Sequence, residues 1–309
     1  MIHRVFTEFE AYAEVIQDAS MDMRLPSLKA PRWEFRHASV GQIHVQHGQE
    51  GGGNIAEGST FRAGWTFFQQ SAQGRDGLAN GCMLAEDEVF VIPPGKEFCL
   101  ACQPQHDWVS VFLPSSDLPL SVDEQEVASA SGPLVLRPAN RLAQQFRSLV
   151  CQFLSAAQLE RSVLSSPAAT LCFREELVSV VRQILQSPGS ALNKHYERWR
   201  QHTHAAIKLV SDSPDNSLSV ATLAQLAQIP ERTLRTAFQR RYGISPQQYL
   251  QINRLRDARR ALRASCPDQT SVTEVAIALG FWDLGRFASR YRKLFGEKPS
   301  VTLQTSVWR

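Results

Sequence analysis

VATLAQLAQIPERTLRTAFQRRYGISP, residues 220–246, returns in outline as VTEVAIALGFWDLGRFASRYRKLFGEKP, residues 272–299. Val220, Leu223, Ala224, Leu226 and Ile229 recur as Val272, Val275, Ala276, Ala278 and Phe281, at an offset of 52. Leu234, Phe238, Gly243 and Pro246 recur as Phe287, Tyr291, Gly296 and Pro299, at an offset of 53. Each copy reads as a short apolar helix, a tight turn, and a longer basic helix closed by glycine. That is the pattern of a helix-turn-helix, whose second helix enters the DNA major groove.

The spacing assigns a face to each side chain. In the helix over residues 231–242, Leu234 and Phe238 lie four apart and must turn inward. Glu231, Arg232, Arg235, Thr236, Gln239 and Arg240 are left outside. Bases are read mainly from the start of such a helix, so Arg232, Arg235 and Thr236 are the expected base contacts, with Gln239 and Arg240 on the DNA backbone. The support helix covers 220–227, and Pro230 is expected to begin the second helix, where a missing N–H costs least. In the second copy the support helix covers 272–279 and Gly280 provides a left-handed turn. Asp283 is the expected N-cap of a helix over 284–295, with Phe287 and Tyr291 inward. Arg286 has the reach to read a guanine, while Ser289, Arg290 and Lys293 face sugar and phosphate.

Between the copies, residues 246–264 (PQQYLQINRLRDARRALRA) form one unbroken helical pattern with Leu250, Leu255, Ala258 and Leu262 on its apolar side. Nineteen residues at about 1.5 Å each span roughly 28 Å. Successive major-groove faces lie about 34 Å apart. A stiff linker of this length sets two recognition helices near one duplex turn apart.

Composition is that of a globular protein, 43% hydrophobic and 20% charged over 309 residues, which is long enough for two cores. The net charge of +3 conceals a split. Residues 1–190 hold 14 basic against 21 acidic groups, and residues 191–309 hold 19 against 9. A basic module for a polyanion is thus joined to an acidic one with another task. No apolar run reaches the roughly 20 residues of a membrane span. Acids interrupt the first twenty residues, so they do not read as a signal peptide, and a cytoplasmic protein without membrane association is expected. The six dispersed cysteines read as reduced thiols. Cys99 and Cys102 have half-site spacing, but no second pair follows, so no metal or other cofactor is expected.

Ahead of the repeat, residues 7–20 have helical spacing at Phe9, Tyr12, Ala13 and Ile16. Short β-like runs then cover 32–40, 42–47, 65–70, 88–92, 97–102 and 107–113, separated by turn clusters, and suggest an antiparallel barrel or sandwich. The run Gly51–Gly53 lacks the lysine and helix of a phosphate loop and reads as a hairpin or loop. Two helical segments follow, 137–158 with Leu142, Phe146, Leu149, Val150 and Phe153 on one stripe, and 168–186 with Leu171, Leu177, Val180, Val181 and Ile184. They either dock on the strands, dimerise, or do both. Ser187-Pro188-Gly189-Ser190 marks a boundary.

Arg254-Leu255-x-x-Ala258-x-x-x-Leu262, then Ser271-Val272-x-x-Val275-Ala276-x-x-Leu279-Gly280-Phe281, then Phe287-x-x-x-Tyr291-x-x-x-Phe295-Gly296-x-x-Pro299 resembles the C-terminal signature of the AraC/XylS family of transcription regulators. The likeness covers residues 205–305. It implies seven helices, double-stranded promoter DNA as partner, RNA polymerase as a second partner, and a non-enzymatic activator. By position it puts base contacts on Arg232, Arg235 and Thr236, and on Leu284, Gly285, Arg286 and Ser289. Leu284 and Gly285 replace polar residues common in the family, which leaves open whether the second helix reads bases or grips phosphate. The resemblance further implies an N-terminal domain that senses an unknown small-molecule effector and can form a homodimer.

The expected architecture is therefore α+β: an N-terminal β-rich, cupin-like barrel with accessory helices, and a C-terminal all-α domain with two helix-turn-helix motifs. The expected divisions are 1–135 for effector sensing, 136–190 for docking or dimerisation, and 191–309 for DNA. Trp33, Phe35, Trp65, Phe67, Phe68 and Trp108 are candidates to line an apolar pocket, with Arg36 and Arg62 to hold an anionic effector. An alternative is a metal-dependent cupin-type enzyme using His44, His47, Glu50 and His106. Residues three apart on a strand point to opposite faces, which separates His44 from His47.

Overall fold

A computed structural model of the chain describes residues 1–16, 19–61, 63–71, 77–118, 133–190, 196–212 and 218–305. Its N-terminal half contains two antiparallel sheets. The larger joins β1 (Ile2–Phe6), β3 (Leu28–Val40), β4 (Ile43–Gly52), β6 (Gly64–Ser71), β9 (Val89–Ile92), β11 (His106–Pro114), β12 (Leu134–Leu136) and β13 (Gly189–Ser190), in the order β1-β3-β4-β11-β6-β9-β12-β13. The smaller joins β2 (Ala19–Arg24), β5 (Asn54–Thr60), β7 (Gly77–Ala79), β8 (Cys82–Leu84) and β10 (Glu97–Cys102), in the order β2-β5-β10-β7-β8. Trp33, Phe35, Phe68, Phe90, Leu100 and Trp108 share one core between the sheets. The arrangement is cupin-like, with two ladders rather than one closed barrel.

The chain passes from one sheet to the other at Gly53. The glycine run expected to be a hairpin or loop is instead a corner in extended backbone. A Cβ on Gly51 would lie 2.1 Å from the Ala30 carbonyl oxygen, so the neighbouring strand leaves no room for a side chain. The N-terminal helix is likewise shorter than its spacing implies. Only α1 (Phe9–Ala13) is helical, and Ala19–Arg24 pairs with β5. Ladder pairing there overrides local helical periodicity.

Helices α2 (Asn140–Leu159) and α3 (Pro167–Leu185) cover the outer face of the larger sheet, closing a second core around Trp65, Phe67, Val109, Phe146, Leu177 and Ile184. Docking on the strands is thus realised. Leu171, expected on the apolar stripe, is 52% exposed. Phe173 takes the inward position and stacks on Phe153 at 3.8 Å, and residues two apart on a helix cannot both face in.

Residues 196–305 form seven helices among the described residues: α4 (Tyr196–Asp212), α5 (Val220–Leu226), α6 (Glu231–Tyr242), α7 (Pro246–Ala264), α8 (Val272–Ala278), α9 (Leu284–Phe295) and α10 (Pro299–Gln304). Their ends are set by local chemistry. Ser245 with Gln248 and Ser271 with Glu274 form capping boxes, satisfying backbone N–H groups that have no partner within the helix. Gly243 and Gly296 end α6 and α9 at φ of 69° and 79°. Pro230 occupies the N-cap rather than the first helical position.

Candidate nucleic-acid interface and effector cavity

Leu234 (0% exposed) and Phe238 (1%) hold α6 down, packing with Tyr242 and Tyr249. Arg232, Arg235, Thr236, Gln239 and Arg240 are exposed. Their surroundings differ. Arg235 reaches back along the helix, its Nε 3.0 Å from Glu231 Oε1. The Thr236 hydroxyl donates to the Arg232 carbonyl at 2.9 Å, and Gln239 donates to the Gly243 carbonyl at 3.1 Å. The Arg240 guanidinium lies 5.8 Å from the Trp199 ring centroid, and its backbone borders Gly81 of the β-rich half. Arg240 therefore stands at the seam between the halves.

In α9, Asp283 caps the helix by accepting from the Arg286 N–H at 2.9 Å. Gly280 has φ of 77°, the left-handed turn its position demands. Phe287 and Tyr291 are buried, while Leu284, Gly285, Arg286, Ser289, Arg290 and Lys293 are exposed. Arg286 Nε lies 3.1 Å from Asp283. One exposed residue escaped the sequence reading. Trp282 is 82% exposed beside this helix start and lines a cleft of about 290 Å³ with Gln251 and Arg254 of α7 and with Arg286 and Arg290. An aromatic near a helix-turn-helix core reads as core, but Phe281 (9% exposed) already fills that place.

A second concavity lies between the sheets. Its walls are Met21, Met23, Ala56, Phe68, Phe98, Leu100 and Trp108, and Glu50 and Asn54 stand among them. Of the candidate pocket residues, Phe68 and Trp108 line it, while Trp33 and Phe35 are buried in the same core off its wall. Trp65 and Phe67 face α2 and α3. Arg36 pairs with Glu34 at 3.6 Å, away from the cavity, and Arg62 lies outside the described residues. His44 meets His37 at 3.3 Å. His47 is held near pKa 4 by burial, with Arg36 adding to the effect. Glu50 approaches His106 at 3.8 Å. Among the described residues no three His, Cys, Asp or Glu side chains are grouped to hold a metal ion.

The smaller sheet is the wall between this cavity and the helical half. Strand alternation sends successive side chains to opposite faces. On β2, Met21 and Met23 face the cavity, while Asp22 pairs with Arg256 of α7 at 3.0 Å. On β5, Asn54 and Ala56 face the cavity; Ile55 packs under the first helix-turn-helix, and Glu57 accepts from Arg241 at 2.7 Å and from Tyr242 at 2.8 Å. On β10, Phe98, Leu100 and Cys102 face inward, and Cys99 and Ala101 pack outward. Burial pushes the Cys99 thiol up to about 12, the Glu57 charge adding to it, so Cys99 is an inert packing group. Glu10 and Glu8 also pair with Arg259 and Arg263 of α7, at 3.2 and 2.5 Å. The acidic half thus engages the basic half through named ion pairs.

A family model described as a helix-turn-helix domain matches residues 223–305. An XylDLEGF operon transcriptional activator of Pseudomonas putida is 29% identical over 126 residues, covering 40% of this chain and 39% of that protein. XylDLEGF operon transcriptional activator 2 of the same organism is 38% identical over 97 residues, covering 31% of this chain and 62% of that protein. The chain spans about two fifths of the length of the first of these (39%). The solved structure of an AraC-like transcriptional activator, CuxR, aligns with 83% of this chain and 94% of its own, at 14% identity and a TM-score of 0.47.

Proposed function

We propose, on the premise that residues 223–305 form a helix-turn-helix domain of the AraC/XylS type, that the chain is a sequence-specific DNA-binding transcription activator gated by a small molecule. Recognition helices α6 and α9 enter consecutive major-groove segments of promoter DNA, with α7 as spacer. Arg232, Arg235 and Thr236 read bases in the first; Arg286 and Ser289 do so in the second, with Leu284 and Gly285 in close contact. Gln239, Arg240, Arg290 and Lys293 hold the DNA backbone. Residues 1–135 sense the effector and 136–190 brace that domain or pair two copies. RNA polymerase is the downstream partner, in the cytoplasm.

The observation supporting DNA binding is the duplicated motif, with both outward faces exposed and basic. Gating is supported by the smaller sheet, whose two faces belong to the cavity and to the DNA-binding half. A ligand that shifts β2, β5 or β10 moves the footing of α6 and α7 together. A metal-dependent enzyme has less support, because His44 and His47 lie on opposite faces of β4.

Fluorescence anisotropy with the promoter beside the gene and with random duplex tests the reading. A specific site is bound at least about a thousandfold more tightly than random sequence. Equal, salt-labile binding to both contradicts it.

A further inference from the structure

We propose that the cavity between the sheets takes a short protonated amine, presented to Glu50, and rejects carboxylic acids; the inference deepens the effector-gated reading and rests on it.

The polar residues lining the cavity are Gln46, Glu50, Asn54 and Ser110, and the acid among them is Glu50. The Glu50 side chain is fully buried. It accepts from the Tyr12 hydroxyl at 2.9 Å, the Trp108 indole N–H at 2.8 Å, and Asn54 Nδ2 at 2.8 and 2.7 Å. Every one of these donors is neutral. Burial, and next the Glu50 charge, hold the Tyr12 hydroxyl well above its ordinary pKa, so it remains a donor. The nearest basic side chain is His106, its Nε2 3.8 Å from Glu50 Oε1, and among the described residues no Lys or Arg pairs with Glu50. Because Asn54 gives its amide N–H to Glu50, its carbonyl Oδ1 turns the other way. That oxygen is buried without a hydrogen-bond partner, on a residue that lines the cavity.

Neutral donors satisfy the lone pairs of a buried carboxylate but do not balance its charge, and a buried carbonyl without a donor is unfavourable in its own right. An ammonium group supplies three donors and a charge, enough for Glu50 and the orphaned Asn54 carbonyl together. A carboxylate ligand brings only acceptors and a like charge. The remaining wall suits an alkyl body, with Met21, Met23 and Leu100 on one side and the Phe68 and Trp108 rings, which attract cations, on the other. The cavity of about 60 Å³ has room for roughly four to six water-sized groups, which restricts the ligand to a short chain.

Calorimetric titration of the full chain with n-butylamine, n-butanol and butyrate at fixed ionic strength tests the assignment. The amine is expected to bind about tenfold or more tightly than butyrate, with the alcohol between them. Glu50→Gln, verified as folded by circular dichroism, abolishes the preference. Should that variant not fold, Asn54→Leu takes its place and lowers amine affinity several-fold. Butyrate binding as tightly as the amine, no binding by any of the three, or an amine preference that survives the folded variant overturns the proposal. Amine binding that leaves affinity for promoter DNA unchanged would instead defeat gating while leaving the ligand class in place.

Discussion

Glu57 of β5 lies 2.7 Å from the guanidinium of Arg241, near the end of α6 and 184 residues later in the chain. Arg241 also donates to Thr203 of α4 at 2.6 Å and is only 6% exposed. The same carboxylate meets Arg24 at 3.0 Å. Truncating one partner of a buried pair leaves the other charged and desolvated, at a cost of about 3–5 kcal/mol. Glu57→Ala is therefore expected to lower unfolding free energy by roughly 3 kcal/mol, discounted for partial exposure of the carboxylate. Urea denaturation checks this. Glu57→Gln, which keeps an acceptor for the Tyr242 hydroxyl, is expected to lose less.

On the proposed assignment Arg232 reads bases and Lys293 grips the DNA backbone. Arg232→Ala should lose about 1–3 kcal/mol on its own site and relax preference at one base pair. Lys293→Ala should weaken every duplex alike and reduce the salt dependence by about one counterion. Affinities on a set of single-base variants distinguish the two. Equal losses for both mutants on specific and random DNA contradict the assigned roles.

Trp282, exposed beside the start of α9, separates stability from binding. At 82% exposure it contributes little to the core, so Trp282→Ala should change stability by no more than about 0.5 kcal/mol. If the indole meets the duplex beside Arg286 and Arg290, the same change should weaken specific binding by about 1 kcal/mol or more. Thermal melts and anisotropy on one preparation give both quantities. Unchanged DNA affinity removes Trp282 from the interface.

Two buried histidines make stability depend on pH. Burial lowers both His37, where neighbouring His44 adds to the effect, and His47 to about 4, against an ordinary value near 6.5. The folded state therefore prefers both rings neutral. Between about pH 6.5 and pH 4 the unfolded chain binds protons that the folded chain refuses, so stability falls on acidification through that window. Above it these groups contribute no pH dependence. Melting temperatures from pH 8 to pH 4.5 should show the loss, and His47→Gln should reduce it by about half, leaving the His37 contribution. A variant curve parallel to the parent contradicts the assignment.

Recognition was legible where period and caps agreed. The bounds of α6, α7 and α9 follow from Leu234 with Phe238, from Phe287 with Tyr291, and from flanking glycines and prolines, each signal lying close in sequence to the helix it bounds. The strand Glu97–Cys102 was equally plain. Asn54–Thr60 (NIAEGST) was not, since its polar and small residues carry no β-branched alternation and it is ordered by pairing with β2 and β10. The Glu50 cluster was hidden for a related reason. In sequence Glu50 draws notice only as a candidate metal ligand, because its partners Tyr12 and Trp108 lie 38 and 58 residues away and no local pattern links them. The interface between halves is likewise written in contacts with no local pattern.

Hydroxyl-radical footprinting of the purified chain on its promoter examines whether one polypeptide engages two grooves. Two protected segments on the same face of the duplex, about 10–10.5 base pairs centre to centre, are the expected result, with protection of the second lost in an Arg286→Ala, Arg290→Ala double variant. A single protected segment, or general protection that salt removes, would contradict it.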